Sequence, residues 1–181
     1  NLWGRPRRSN GCGMRAISFD VPSGSARPKL KIVDAPKPRP KRGEVLVRVT
    51  HAGLNHGDFE TWTGKQNKAL LKRLKTNPVL TGIEMAGRVE SDGKTFKKGD
   101  PVYGYTNIFK GPWFHADYAA VKETNLAHIP KGLTAEGATA IVGGALTAIT
   151  ALEKIAKTKS GDDVLITGAT GEVGVTELHI A

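Results

Sequence analysis

The sequence has one cysteine in 181 residues, Cys12. No intrachain disulfide can form and no thiolate cluster can gather round a metal, which fits a reducing compartment. No apolar run reaches the roughly 18 residues that a membrane-crossing helix requires, so no spanning segment is expected. Acids are also few: 17 Asp and Glu stand against 27 Lys and Arg, leaving a net charge of +10. That balance invites a nucleic-acid or anionic-surface partner. The placement of the charge disfavours it, because the basic residues gather in 1–13, 37–42, 65–75 and 94–98, between apolar segments and with Trp3 and Phe96 the only aromatics among them. Solvated turns and a solvated helix face account for them. A basic surface also suits an anionic cofactor or an acyl-thioester substrate.

Residues 1–13 carry three arginines and no acid. They read as a vector scar or the vestige of an upstream segment, since a complete transit peptide is longer and richer in serine. Short strands follow at 14–19 and 30–33. The alternating prolines of APKPRPKRG (35–43) cannot lie inside a helix or a central strand and make an extended surface connection. In EVLVRVT (44–50), Val45, Val47 and Val49 share one face, the clearest half-buried strand in the chain. A short helix begins near His56, and 68–75 sets Leu70, Leu71 and Leu74 on one face of an amphipathic helix that caps a barrel. Further strands are expected at 84–90, 101–105, 117–121 and 126–129, with turns at Asp92 and Gly93 and at Gly99. Short strands at intervals of about 8–12 residues indicate a barrel or sandwich.

After Pro130 the pattern changes. Thr134 is an N-cap with Glu136 in the first turn of an alanine-rich helix, Gly143 and Gly144 interrupt it, and 146–157 continues as a helix. Val164, Leu165 and Ile166 then read as a buried parallel strand. Gly168, Gly171 and Gly174 fall three apart where that strand gives way to a helix. The spacing G-x-x-G-x-x-G fits a turn that presents backbone N–H groups to a dinucleotide phosphate, and equally an ordinary glycine-rich strand-to-helix turn. The ribose-reading residue of a dinucleotide unit lies about 20 residues further on, whereas seven residues follow Gly174. Only the opening of such a unit is expected.

From Met14 onward the order of segments resembles the medium-chain dehydrogenase/reductase superfamily. The matching motifs are Glu44 to Arg48, AGLNHGD (52–58), GIEMAG (82–87), 96–102, Leu146–Thr147–Ala148 and the glycine turn from Gly168 to Gly174. The resemblance implies an α+β chain: residues 14–133 as a GroES-like β-barrel catalytic domain and 134–181 as the start of a Rossmann α/β nucleotide-binding domain. It also implies a branch. Zinc-dependent members hold their catalytic metal with a cysteine, a histidine and a second cysteine, whose counterparts here are Asn55, Ile83 and, roughly, Gly143. Isoleucine and glycine side chains bring no donor atom, and an amide oxygen is a poor substitute for thiolate. The resemblance is therefore to the zinc-free quinone oxidoreductases and the related enoyl-thioester and acrylyl-CoA reductases.

In that branch a hydride passes from NADPH to a quinone or electron-poor C=C, and the protein supplies position and polarity. The cofactor residues implied are Asn55, Thr147, Gly168, Ala169, Thr170, Gly171, Glu172 and Val173; Asp58 and Trp62 are assigned to the substrate pocket, and no metal or catalytic residue is assigned. Asn55 has a second reading as a turn cap, Thr147 as a hydroxyl bonded back to its own helix, and Trp62 as a packing residue. His56 and His115 are proton donors by residue type only. Two residues depart from the pattern: Glu60 stands where a tyrosine is common, and Glu172 replaces a glycine of the turn, where its charge is unfavourable beside a pyrophosphate unless it turns away. A small-molecule substrate, a homodimer and a cytoplasmic or organellar-matrix location complete the expectation. A catalytically silent binding or structural subunit is the alternative from another class.

Overall fold

Alternation in the strand Glu44–Ala52 organises the β domain. Val45 and Val47 are fully buried and Val49 packs beside them, as a period of two dictates. The computed structural model describes residues 13–20, 29–63, 80–107 and 111–181. Cys12, most of the basic leader, the connection at 21–28 and the amphipathic segment at 68–75 lie outside the described residues.

The elements are β1 (Gly13–Asp20), β2 (Lys29–Pro36), β3 (Glu44–Ala52), α1 (His56–Trp62), β4 (Glu84–Val89), β5 (Pro101–Tyr105), β6 (Tyr118–Lys122), β7 (Leu126–His128), α2 (Ala135–Ile149) and α3 (Glu172–Ile180). A five-stranded antiparallel sheet runs β6-β3-β4-β5-β7, and β1 pairs with β2 separately. The sheet curls into an open, GroES-like half-barrel. Its inner face holds Val45, Val47, Met85, Val89, Phe96, Val102, Phe114, Ala119 and Val121. The β1–β2 pair is tied on by Ile17 N–H to the His115 carbonyl (2.7 Å) and by Arg15 on Asp117 (3.1 Å).

Alternation in β4 turns Met85 and Val89 toward this core and Glu84 and Ala86 to the opposite face, which α2 covers. Between Val49 and His51 the β3–β4 register shifts, a bulge that re-aims the end of β3. His51 there meets Glu136 of α2, Nε2 to Oε1 at 3.2 Å.

Three expectations about the second half are corrected. Gly143 and Gly144 do not interrupt the helix: α2 runs straight through them and passes into a π-helical turn, Thr150–Ala156, that ends at left-handed Lys157 (φ 56°). The uninterrupted Ala135–Ala156 segment is consequently long and apolar enough, by length and composition alone, to cross a membrane. In this fold it packs on β3, β4 and β5 and against α3. Third, Val164, Leu165 and Ile166 form no strand, and Val164 (39 %) and Leu165 (91 %) are exposed. A strand is completed by a neighbour's backbone groups, and among the described residues none lies alongside. The helix after the glycine turn forms as expected.

Candidate active site

The site is built where the end of β3, the start of α1, the start of β4, the middle of α2 and the first turn of α3 meet. Asn55 caps α1: its Oδ1 accepts the Gly57 N–H (2.9 Å), and Asp58 Oδ2 accepts the Asn55 N–H in return (3.0 Å). This capping box fixes the Asn55 side chain and bears out its reading as a turn cap. Its Nδ2 is left to donate to Glu84 Oε1 at 3.0 Å.

Asp58 is fully buried, and its Oδ1 accepts the Gly82 N–H at 3.1 Å. Its oxygens are spent on the backbone, so it holds α1 to the start of β4 rather than facing a ligand. Trp62 lines an apolar cleft with Ile17, Ile32, Leu54 and His115. Its indole N–H donates to Thr81 Oγ1 (3.1 Å), which lies 2.9 Å from His115 Nδ1, and His115 Nε2 lies 2.8 Å from the Gly53 carbonyl. A carbonyl can only accept, so Nε2 carries the hydrogen and Nδ1 accepts from the threonine hydroxyl. Both ring nitrogens are engaged, which makes His115 a brace. His56, on the surface, meets Glu60 at 3.4 Å.

Glu84 is the residue that sequence reasoning passed over. It is 4 % exposed and wedged between two glycines: a Cβ at Gly53 would run into its Oε2, and one at Gly143 into its Oε1. Burial is the main reason its carboxyl is raised to about 7; Glu172 and Asp58 push it further, and the Asn55 hydrogen bond opposes them. Burial, then the charges of Glu84, Glu172 and Asp58, also raise the neighbouring Tyr105 phenol. The available signal was a lone acid in the apolar run GIEMAG, on the strand face opposite Met85.

Glu172, first residue of α3, does turn away from its own glycine turn. Its Oε1 accepts the Gly144 N–H at 3.0 Å, and Gly144 allows this because a Cβ there would strike the Glu172 backbone and Cγ. A Cβ at Gly143 would come within 3.3 Å of the same Oε1, so Glu84 and Glu172 lie around one point of α2. With His51, Leu54, Glu136 and Thr139 they line a cleft of about 390 Å³. Thr147 Oγ1 donates to the Gly143 carbonyl at 2.9 Å, the hydroxyl-to-own-helix reading. At the turn, Gly168 has φ +70° and open space beside it, and no side chain caps Gly171 at the start of α3. Ala169, Thr170 and Val173 belong to this turn and the first turn of α3. Asn55, Gly143 and Glu172 are thus brought together; Asp58 is spent on the scaffold, and Trp62 stands in the adjoining apolar cleft. Among the described residues no three His, Cys, Asp or Glu side chains gather to hold a metal ion.

Residues 41–144 match the family model of the alcohol dehydrogenase GroES-like domain. The chain belongs to this family. A chloroplastic quinone-oxidoreductase from Triphysaria versicolor is 32% identical over 93% of the chain and 52% of its own length. The acryloyl-coenzyme A reductase of Sulfurisphaera tokodaii is 28% identical, over 83% of the chain and 51% of its length. The solved quinone oxidoreductase of Coxiella burnetii superimposes with a TM-score of 0.79 at 31% identity, covering 93% of this chain and 53% of that one. The chain spans about half the length of the curated relatives it matches.

Proposed function

We propose that residues 14–133 are the substrate-side domain, and 134–181 the opening of the cofactor domain, of a zinc-independent, NADPH-dependent reductase that passes hydride to a quinone or activated alkene. The observation that carries this reading is the convergence of Asn55, Glu84, Gly143 and Glu172 at one junction, next to the glycine turn.

The turn fits a phosphate-bearing cofactor. A Cβ at Gly174 would run into the Gly168 carbonyl, so glycine is what lets α3 start this close to the turn. With Gly171 uncapped, the first N–H groups of α3 are left for an anion, and the Glu172 carboxylate is occupied by Gly144. In this reading 168–173 hold the phosphates and Asn55 borders the nicotinamide, which when bound supplies the hydride. The Thr147 hydroxyl gives its hydrogen to Gly143 and keeps lone pairs to accept from a carboxamide. Positions 83 and 143 offer no metal donor, and the Asn55 amide is engaged by Gly57 and Glu84; both support metal independence. A homodimer and a cytoplasmic or organellar-matrix location belong to the same proposal.

Oxidation of NADPH on addition of a quinone tests it. The expected result is turnover that a chelator leaves unchanged and that Asn55→Ala lowers by about 10²-fold, the scale of losing a preorganised polar contact. Activity lost on chelation and restored by zinc overturns the metal-independent reading. The similarity to an acryloyl-coenzyme A reductase favours an enoyl-thioester as the second acceptor class, which side-by-side turnover of a quinone and an enoyl-CoA separates.

A further inference from the structure

Glu84 is buried, engaged on one side only, and forms part of the wall of the cleft. Its Oε1 is the acceptor for the Asn55 amide (3.0 Å). Among the described residues Oε2 has no hydrogen-bond partner, and it lies against Gly53 at the wall of the cleft shared with His51, Leu54, Glu136, Thr139 and Glu172. A carboxyl so placed has its carbonyl oxygen fixed by an N–H donor and its hydroxyl oxygen turned to whatever fills the cleft. Asn55 and Gly143, two of the positions that correspond to metal ligands in the zinc-dependent branch, both border Oε1.

We propose that Glu84 is the acid of this cleft: its carboxyl donates a hydrogen bond, and then its proton, to the carbonyl oxygen of the acceptor. This rests on the reductase reading above. The acceptor takes two electrons and one hydrogen as hydride from the reduced nicotinamide cofactor; the O–H bond of Glu84 breaks, an O–H bond forms on the acceptor oxygen, and Glu84 is left as carboxylate. Solvent entering the open cleft returns the proton. A neutral carboxyl is what donation requires, and the displacement of the Glu84 carboxyl to about 7 by burial and by Glu172 and Asp58 keeps it available near neutrality. The asparagine fixes the carboxyl rotamer, and the paired glycines allow it into a space that a side chain at 53 or 143 would fill.

Binding of duroquinone, an unreduced carbonyl probe, to the full chain tests this without turnover. The groups that face Glu84 are Asp58 on α1, Tyr105 on β5, Glu172 on α3, Glu136 on α2 and His51 on β3. All of them remain in Glu84→Gln, which keeps the acceptor for Asn55 and removes only the titrating proton. Because only the protonated fraction donates, the wild-type affinity is expected to fall about tenfold between pH 6 and pH 8, with the bound carbonyl stretch moving to higher frequency. In Glu84→Gln both readings are expected to be flat with pH. Equal wild-type affinity at the two pH values, or the same pH dependence in the variant, overturns the role of Glu84 while leaving the quinone reading standing. A wild-type chain that binds no quinone at either pH overturns both. Infrared spectra of the unliganded chain give an independent check. A protonated-carboxyl band is expected at pH 6 that fades by pH 8 and is missing from Glu84→Gln; its absence from the wild type at pH 6 contradicts the proposal.

Discussion

At the scale of single residues the junction depends on groups that have no freedom left. Asp58 accepts two backbone N–H groups inside the protein, so Asp58→Ala leaves both donors unpaired and opens a cavity. A loss of about 3 kcal/mol is expected from urea unfolding, several times the effect of an exposed change such as Lys98→Ala. Glu84 gives a pH signature. Its folded carboxyl, at about 7, lies above the value near 4.5 of an unfolded chain, so the folded state holds the proton longer. Stability from this group is highest below pH 4.5, falls as pH rises toward 7 and is level above it, about 3 kcal/mol in all. Unfolding of wild type and Glu84→Gln at pH 5 and pH 8 is expected to show the decline only in the wild type. Equal declines in both contradict the assignment.

At the scale of elements, α3 is held to α2 by a carboxylate on a glycine N–H rather than by an apolar stripe. Glu172→Ala is therefore expected to raise hydrogen exchange in 172–180 while β3 and β4 keep their protection. It also removes a negative charge that pushes Glu84 upward, so the Glu84 midpoint is expected to move below 7. An unchanged midpoint would mean that the Glu172 charge does not help set it. Much of the β half was legible in the sequence: the alternation of Val45, Val47 and Val49 and the turns at Gly93 and Gly99 place β3 and its neighbours because one strand face must be buried. Glu84 was less legible, since alternation gives the face of a residue and says nothing about what covers it. Gly143 and Gly144 read as a break because glycine lowers helix propensity; in the fold they admit two carboxylates. The apolar run at 164–166 showed that a strand has something to bury, and could not show a partner to bury it against. Asn55 was found through its motif, and its bond to Glu84 needed the fold.

At the scale of the whole molecule, the half-barrel supplies one wall of a cleft, and α2 with Glu172 of α3 supplies the other. Their meeting point is a set of glycines, Gly53, Gly143 and Gly144, closely approached by Glu84 or Glu172. Filling one of them, as in Gly143→Ala, pushes Glu84 off its wedge. A cost of about 1–3 kcal/mol is expected in thermal unfolding, together with loss of the pH signature of Glu84.

In the proposed function this junction holds a reduced nicotinamide cofactor without metal. Titration of the ¹⁵N-labelled chain with NADPH, in the presence of a chelator, tests it most directly. Saturable shifts are expected at the amides of 168–174 and at the Asn55 side chain, unchanged by the chelator. Shifts confined to the basic connection at 37–42, or binding that appears only after zinc is added, would contradict it.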